Sequence, residues 1–484
     1  MLPKTFCALP FYQTTISNDG KGRLCQHSLM PRGQFLSLHQ TTFGQIWNSD
    51  YLRSVRSRMI EGTEIEDCVT CYKTECDGGT SLRHLVNSGA RNIFEVSGDD
   101  QILEKAEAIV RDHGGNAPPP SGLSLWLGNH CNLKCRMCSP EFSSQIGSDV
   151  VHSKWRSDVA QLETPSRITE NPDWSKNEKI IFEEIFEHVE CLKQIQFFGG
   201  EPLIHPMFPK ILEKLVDTGH AAHIEVYIAS NGTRHSSHLS ALLRKFSSVT
   251  LDFSVDGVGK LQEYIRPPSK WDIISRNILD FQKENVPVSI YSTVQAYNIF
   301  GLLDLARWCG TYGLPFSCHN VLFGPSALSL DMLPQDVINE ALEDWMKYLE
   351  TECTEDNRWR IETVIASLRR PRPESGDLSI FQDEFIRFTN DLDRSRGQSF
   401  ATACPRLHDR LLNAGFDFHG KYRFSQPEEV SSLRDQLSQS QEAISNLRDQ
   451  LSHSQAEVKG MKSSKFWKIR SLWFSMKQKF RLGV

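Results

Sequence analysis

The chain has 484 residues, enough for two or three domains, and a formal net charge of −6. That balance gives no reason to expect nucleic acid as a main partner, and no apolar run of about 18 residues predicts a membrane span. Its 13 cysteines follow an N-terminal run, Met1 to Cys7, without the apolar core of a signal peptide. Together these features point to a reducing, cytoplasmic setting and to metal ligation rather than disulfides.

Residues 1–95 are rich in cysteine and turn signals. Asn18-Asp19-Gly20 is a turn signal between two short strand-like stretches, and 50–62 reads as a short basic helix with Gly62 near its end. Cys7, Cys25, Cys68 and Cys71 make a set of four with one CxxC pair. Four thiolates suit a closed iron–sulfur cluster or a zinc site, and sulfur ligands alone do not choose the metal. Cys76 is an alternative fourth ligand. Residues 96–121 hold a helix near 99–112 and a Pro/Gly linker, since Gly and Pro sustain neither a helix nor a central strand.

From 122 to 330 strands and helices alternate. The strand patterns are 123–127, 194–198, 224–229, 249–255, 288–294 and 316–322. Helical patterns lie between them at 207–215, 236–246, 273–283 and 302–313. Six strands in such alternation predict an α/β fold with a parallel sheet. Right-handed connections curl it into a partial (β/α)6 barrel with ligands at the C-terminal strand ends. The connection 151–190 is long and predicts an inserted helical piece. Residues 331–425 read as a mainly helical extension.

Residues 426–484 differ. Val430, Leu433, Leu437, Ile444, Leu447, Leu451, Val458 and Met461 fall on alternating heptad positions, interrupted at Ser440 and Ser454. This spacing is that of a short coiled coil, with a single solvated helix as the alternative. The run from Val458 to Val484 has eight Lys or Arg and no Asp or Glu. Its basic, aromatic helical face suits an anionic membrane surface, a partner or a second copy of the chain.

The chemistry concentrates at strand ends. Cys131, Cys135 and Cys138 crowd into eight residues after the first barrel strand. Three thiolates without a close fourth suggest a cluster with one open iron, and an open metal position is where chemistry occurs. Gly199-Gly200-Glu201 follows the second strand. Paired glycines let a ligand approach the backbone closely, and a carboxylate beside them accepts from an ammonium. Ser230-Asn231 ends the third strand, Ser254 and Asp256 the fourth, and Gln295 the fifth. Arg266 is a bidentate partner for a carboxylate. His205 reads as a helix-start residue.

The CxxxCxxC run followed by the glycine–glutamate motif resembles the radical S-adenosylmethionine (SAM) enzymes. The N-terminal segment is similar to the twitch domain of the SPASM/twitch subgroup, although a twitch more often follows the barrel. Met137 stands where many of these enzymes place an aromatic residue.

The resemblance implies a [4Fe–4S] cluster on Cys131, Cys135 and Cys138. It also implies SAM contacts at Gly199, Gly200, Glu201, Ser230, Asn231, Ser254, Asp256, Arg266 and Gln295. A second, auxiliary [4Fe–4S] cluster would sit on Cys7, Cys25, Cys68 and Cys71. The expected activity is reductive SAM cleavage to a 5′-deoxyadenosyl radical that takes hydrogen from a peptide, sugar or other small substrate. A low-potential electron donor such as flavodoxin or ferredoxin is the expected partner. The alternative function is a non-catalytic iron–sulfur or zinc scaffold that recruits partners through its tail. No residue is singled out as an acid or base.

Overall fold

A computed structural model describes residues 2–28, 36–76, 80–160, 174–322, 324–370 and 375–418. The heptad segment and basic tail of 426–484 lie outside the described residues, as does the middle of the 151–190 connection. What is described of that connection includes a helix, Val150–Ala160, and a single π-helical turn, Ile180–Ile185.

All six predicted barrel strands form, and two more join them. β1 (Gln13–Ile16) and β2 (Gly22–Arg23) are followed by β3 (Gly122–Trp126), β4 (Gln194–Phe198), β5 (Glu225–Ser230), β6 (Ser248–Ser254), β7 (Val288–Val294) and β8 (Phe316–Val321). They make one eight-stranded sheet in the order β2-β1-β3-β4-β5-β6-β7-β8. Every pairing is parallel except the β1–β2 hairpin. The Asn18-Asp19-Gly20 turn closes that hairpin, with Gly20 at φ +76°, where a side chain would be strained. The six-stranded expectation is thereby corrected to eight. The strand-like stretches expected on either side of that turn are β1 and β2; β1 is buried on both faces between two strands, and its sequence Gln-Thr-Thr-Ile has no alternation or apolar run to mark it as part of the barrel sheet.

Helices cover one face of the sheet. Phe197 of β4 meets Phe208 of the helix Met207–Asp217 at 5.0 Å between ring centres, and Phe253 of β6 meets Phe281 of Trp271–Lys283 at 5.8 Å. Side chains alternate along a strand, so Phe198, Asp252 and Ser254 face the opposite, concave side. A second core holds the N-terminal region together, with Phe6, Val55, Met59, Ile102 and Ala106 buried in it. Helix Asp50–Ile60 starts at a Ser49 cap, and Asp99–His113 stops at left-handed Gly114.

The 331–425 region is helical where described. It comprises Gln335–Thr351, Glu355–Leu368, Ser375–Arg396 and Pro405–Asn413 with a short turn between the last two. No helix among the described residues is long and apolar enough to cross a membrane.

Candidate metal and cofactor site

The cysteine run leaves the C-terminal end of β3 as a loop folded against two neighbouring loops. Cys131 and Cys135 are buried around Leu133, with Met137 and Cys138 packed beside them. Two side chains, one just past the end of β5 and one at the end of the helix Lys260–Ile265, point N–H groups at sulfur. Asn231 Nδ2 lies 3.8 Å from Cys131 Sγ, and Arg266 Nη1 lies 3.8 Å from Cys135 Sγ. The Leu133 N–H also donates to Cys131 Sγ at 3.4 Å. Burial, with Cys135 nearby, pushes the Cys131 thiol up to about 12. Burial raises Cys135 too, against the pull of Arg266. Thiols this reluctant to ionise lose their protons when a cationic metal centre takes them as ligands.

The glycine pair has a close neighbour, and it is the cysteine loop. Gly200 N–H donates to Gly128 O, and Glu201 N–H to His130 O, both at 2.9 Å. A methyl group at Gly199 would sit 2.7 Å from Gly128 O, and one at Gly200 2.3 Å from His130 O. The glycines therefore let two backbones touch, whereas the sequence suggested room for a ligand.

Glu201 is buried and joins a third loop. Its carboxylate accepts from Ser230 Oγ at 2.8 Å, Asn231 N at 2.5 Å and Leu203 N at 3.0 Å. Burial outweighs these donors and pushes its pKa up to about 7. Asp256, fully buried, accepts from Arg266 Nε at 2.7 Å and from Thr293 N at 2.9 Å. Arg266, expected to clasp a ligand carboxylate with its whole fork, thus has one edge committed to Asp256 and a second nitrogen near Cys135. Gln295 is fully buried, and its N–H donates to Asn298 Oδ1 at 2.8 Å. Ser254 is half-buried at the end of β6. Apart from Arg266, which follows the helix Lys260–Ile265, the predicted residues thus come from the ends of five successive strands, β3 to β7. His205 starts a helix as expected, its Nδ1 accepting from Met207 N–H at 3.3 Å.

Sequence reasoning missed Arg136. It is fully buried inside the cysteine run, and its guanidinium lies 3.7 Å from the Tyr264 ring centre. Its Nη2 reaches Asp393 at 2.5 Å and Gln398 at 3.0 Å. An arginine between two of the predicted cysteine ligands was the available signal.

The four N-terminal cysteines form a second place. Cys7, Cys25, Cys68 and Cys71 line one cavity together with His27, Asp67 and Arg83. Burial and the neighbouring sulfurs raise Cys7 and push Cys68 up to about 12. Burial likewise pushes Cys25 up to about 12. Cys76 is exposed and outside that lining. Among the described residues no group of three or more His, Cys, Asp or Glu is drawn in around a single metal ion. The fit of each place therefore rests on its donor set: three thiols beside N–H donors in one, four thiols sharing a cavity in the other.

The family described as the radical SAM superfamily matches residues 127–308, and an iron–sulfur cluster-binding domain, SPASM, matches 7–72. No curated protein matches the chain. Among solved structures, Streptococcus suis SuiB bound to S-adenosylmethionine is 13% identical, with a TM-score of 0.35 over 72% of this chain and 71% of that one. SuiB bound to its precursor peptide SuiA is 14% identical, with a TM-score of 0.34 over 69% and 70%. The protein anSMEcpe with bound AdoMet is 16% identical, with a TM-score of 0.32 over 48% of this chain and 60% of that one. The two matched domains imply SAM and two kinds of [4Fe–4S] centre, one of them auxiliary.

Proposed function

We propose that this chain, which belongs to the radical SAM superfamily and to its SPASM/twitch subgroup, is an enzyme that modifies or oxidises a substrate by hydrogen abstraction. The observation that carries the reading is the meeting of three loops: Cys131, Cys135 and Cys138 on one, the Gly199–Glu201 backbone against it, and Asn231 bridging both. With cluster and SAM bound, the chemistry supplied is one-electron cleavage of the sulfonium C5′–S bond, giving methionine and a 5′-deoxyadenosyl radical that takes hydrogen from the substrate.

The chain's own residues prepare the site. Cys131, Cys135 and Cys138 would hold the cluster and leave one iron open. Leu133 and Met137 pack beside the sulfurs and keep water from them. N–H groups of Asn231 and Arg266 stabilise negative charge on sulfur. Asp256 holds Arg266 through Nε, with Nη1 near Cys135, so Nη2 is the nitrogen that would meet the carboxylate of SAM. Glu201 with Gly199 and Gly200 would take the amino group of SAM, while Ser230, Ser254 and Gln295 would offer polar contacts to its ribose and adenine. Cys7, Cys25, Cys68 and Cys71 would hold the auxiliary cluster in a closed, four-thiolate site that assists electron transfer or substrate anchoring. Flavodoxin or ferredoxin is the class of electron donor that such chemistry needs.

Anaerobic reconstitution with iron and sulfide, then SAM and dithionite, tests the reading. Formation of 5′-deoxyadenosine, even uncoupled from substrate, is the expected result. Its absence from a fully loaded protein would favour a non-catalytic iron–sulfur scaffold.

A further inference from the structure

The four N-terminal cysteines reach their shared cavity from different parts of the chain. Cys68 ends a 3-10 turn that runs straight into the helix Val69–Cys76, so Cys71 stands one helical turn away from it. Cys25 follows β2. Cys7 precedes the short helix Leu9–Tyr12 and has no other cysteine near it in sequence. The helix Leu82–Phe94, whose Leu82 and Arg83 line the cavity, lies beyond residue 72, where the match to the cluster-binding domain ends.

Asn87 on that helix bonds to both peptide units that flank Cys7. Its Nδ2 donates to Phe6 O at 2.9 Å, and its Oδ1 accepts from Ala8 N–H at 2.9 Å. Phe6 and Ala8 are fully buried, so water cannot stand in for Asn87. Arg83 lies one turn earlier on the same helix face. It donates to Lys4 O at 2.5 Å and Phe6 O at 3.2 Å, and to Glu75 Oε1 at 3.1 Å on the helix that carries Cys71.

A peptide unit is planar, so the two units flanking a residue set its only soft backbone angles. With the oxygen of one unit and the N–H of the other held by a single side chain, Cys7 has a fixed direction for its sulfur. A carboxamide suits the task because it carries a donor and an acceptor side by side. The helix itself gains nothing from asparagine, since alanine is the better helix former.

We propose that Asn87 is a positioning residue for the auxiliary centre. It presents Cys7 to the cavity as the ligand that completes the set of four, and Arg83 ties the same turn to the helix of Cys71. The inference rests on the auxiliary-cluster reading above.

Alkylation of the full chain by iodoacetamide, followed at each cysteine by peptide mass spectrometry, tests it. In the metal-free protein, the rate at a buried thiol reports how often its segment opens. Asn87→Ala removes both hydrogen bonds without weakening the helix. Cys7 should then react about 25-fold faster, about fivefold for each bond, while Cys25, Cys68 and Cys71 keep their wild-type rates. Asn92→Ala, at an exposed position of the same helix, should change none of the four. A rise shared by all four cysteines would mean that Asn87 only stabilises the region, and no rise at Cys7 would mean that it holds nothing there. Either result overturns the inference. The same reaction is run after reconstitution with iron and sulfide. The wild type should protect all four cysteines, and Asn87→Ala should protect Cys7 less than the other three. If both proteins protect the four alike, only the assignment to Asn87 fails. If the wild type protects none of them, the auxiliary-cluster reading fails and this inference with it.

Discussion

Arg136 and Asp393, 257 positions apart in the chain, form an ion pair at 2.5 Å in which the arginine is fully buried. The pair fixes the end of helix Ser375–Arg396 to the middle of the cysteine run. Arg396 reinforces it by donating to Lys134 O at 3.0 Å, and Gln398 by donating to Glu263 O at 3.2 Å. The C-terminal helices, outside both matched domains, thus brace the loop that carries Cys131, Cys135 and Cys138. Removing one partner of a buried pair strands the other charge, at a cost of about 3–5 kcal/mol. Asp393→Ala should lower stability in urea by that order. It should also deplete iron at Cys131, Cys135 and Cys138 more than at the N-terminal four. Mössbauer spectra of the reconstituted protein would separate the two losses.

Cys135→Ala tests whether the two cysteine sets are independent. They lie on separate loops and in separate buried clusters. The variant should lose SAM cleavage altogether and keep about half of the iron, since one [4Fe–4S] centre of two would remain. Loss of all iron would mean instead that the two places form only together.

Much of this site is legible in the amino-acid sequence, for a physical reason. The parallel strands are buried and rich in Val, Ile and Phe, so they announce themselves, and Cys131, Cys135 and Cys138 are close in sequence. Less legible is anything set by distant packing. β1 is too polar to be recognised as an interior strand, and it joins the sheet through backbone pairing with β3 along its whole length, Gln13 to Ile16 against Gly122 to Leu125. The glycine pair is visible, but not the carbonyls of Gly128 and His130 that demand it. No pattern in the sequence links Arg136 to Asp393.

Gly200→Ala should disable the site through packing alone. Its methyl group would lie 2.3 Å from His130 O and 2.6 Å from the carbonyl carbon. Both are backbone atoms of the cysteine loop, so one loop must move. Overpacking of this kind costs about 1–3 kcal/mol. Gly44→Ala, where nothing lies within 4 Å, is the matched control. The expected outcome is a lower melting temperature and strongly reduced 5′-deoxyadenosine formation for the first and neither for the second. Equal behaviour of the two variants would show that the loops are not in contact.

Glu201 gives a pH signature in the metal-free protein. Burial pushes its carboxyl up to about 7, above the roughly 4.3 of an unfolded glutamate. A carboxyl raised by folding binds its proton more tightly in the folded state. Its contribution to stability is therefore complete below about pH 4.3 and is lost as pH rises through about 7. The span corresponds to about 4 kcal/mol at 1.36 kcal/mol per unit. Glu201→Gln keeps the shape and cannot ionise, so the difference in unfolding free energy between wild type and variant should grow with pH between about 4.5 and 7.5. Denaturant titrations across that window measure it. A constant difference would mean that the three donors around the carboxylate hold it ionised throughout, with its pKa near or below the ordinary value.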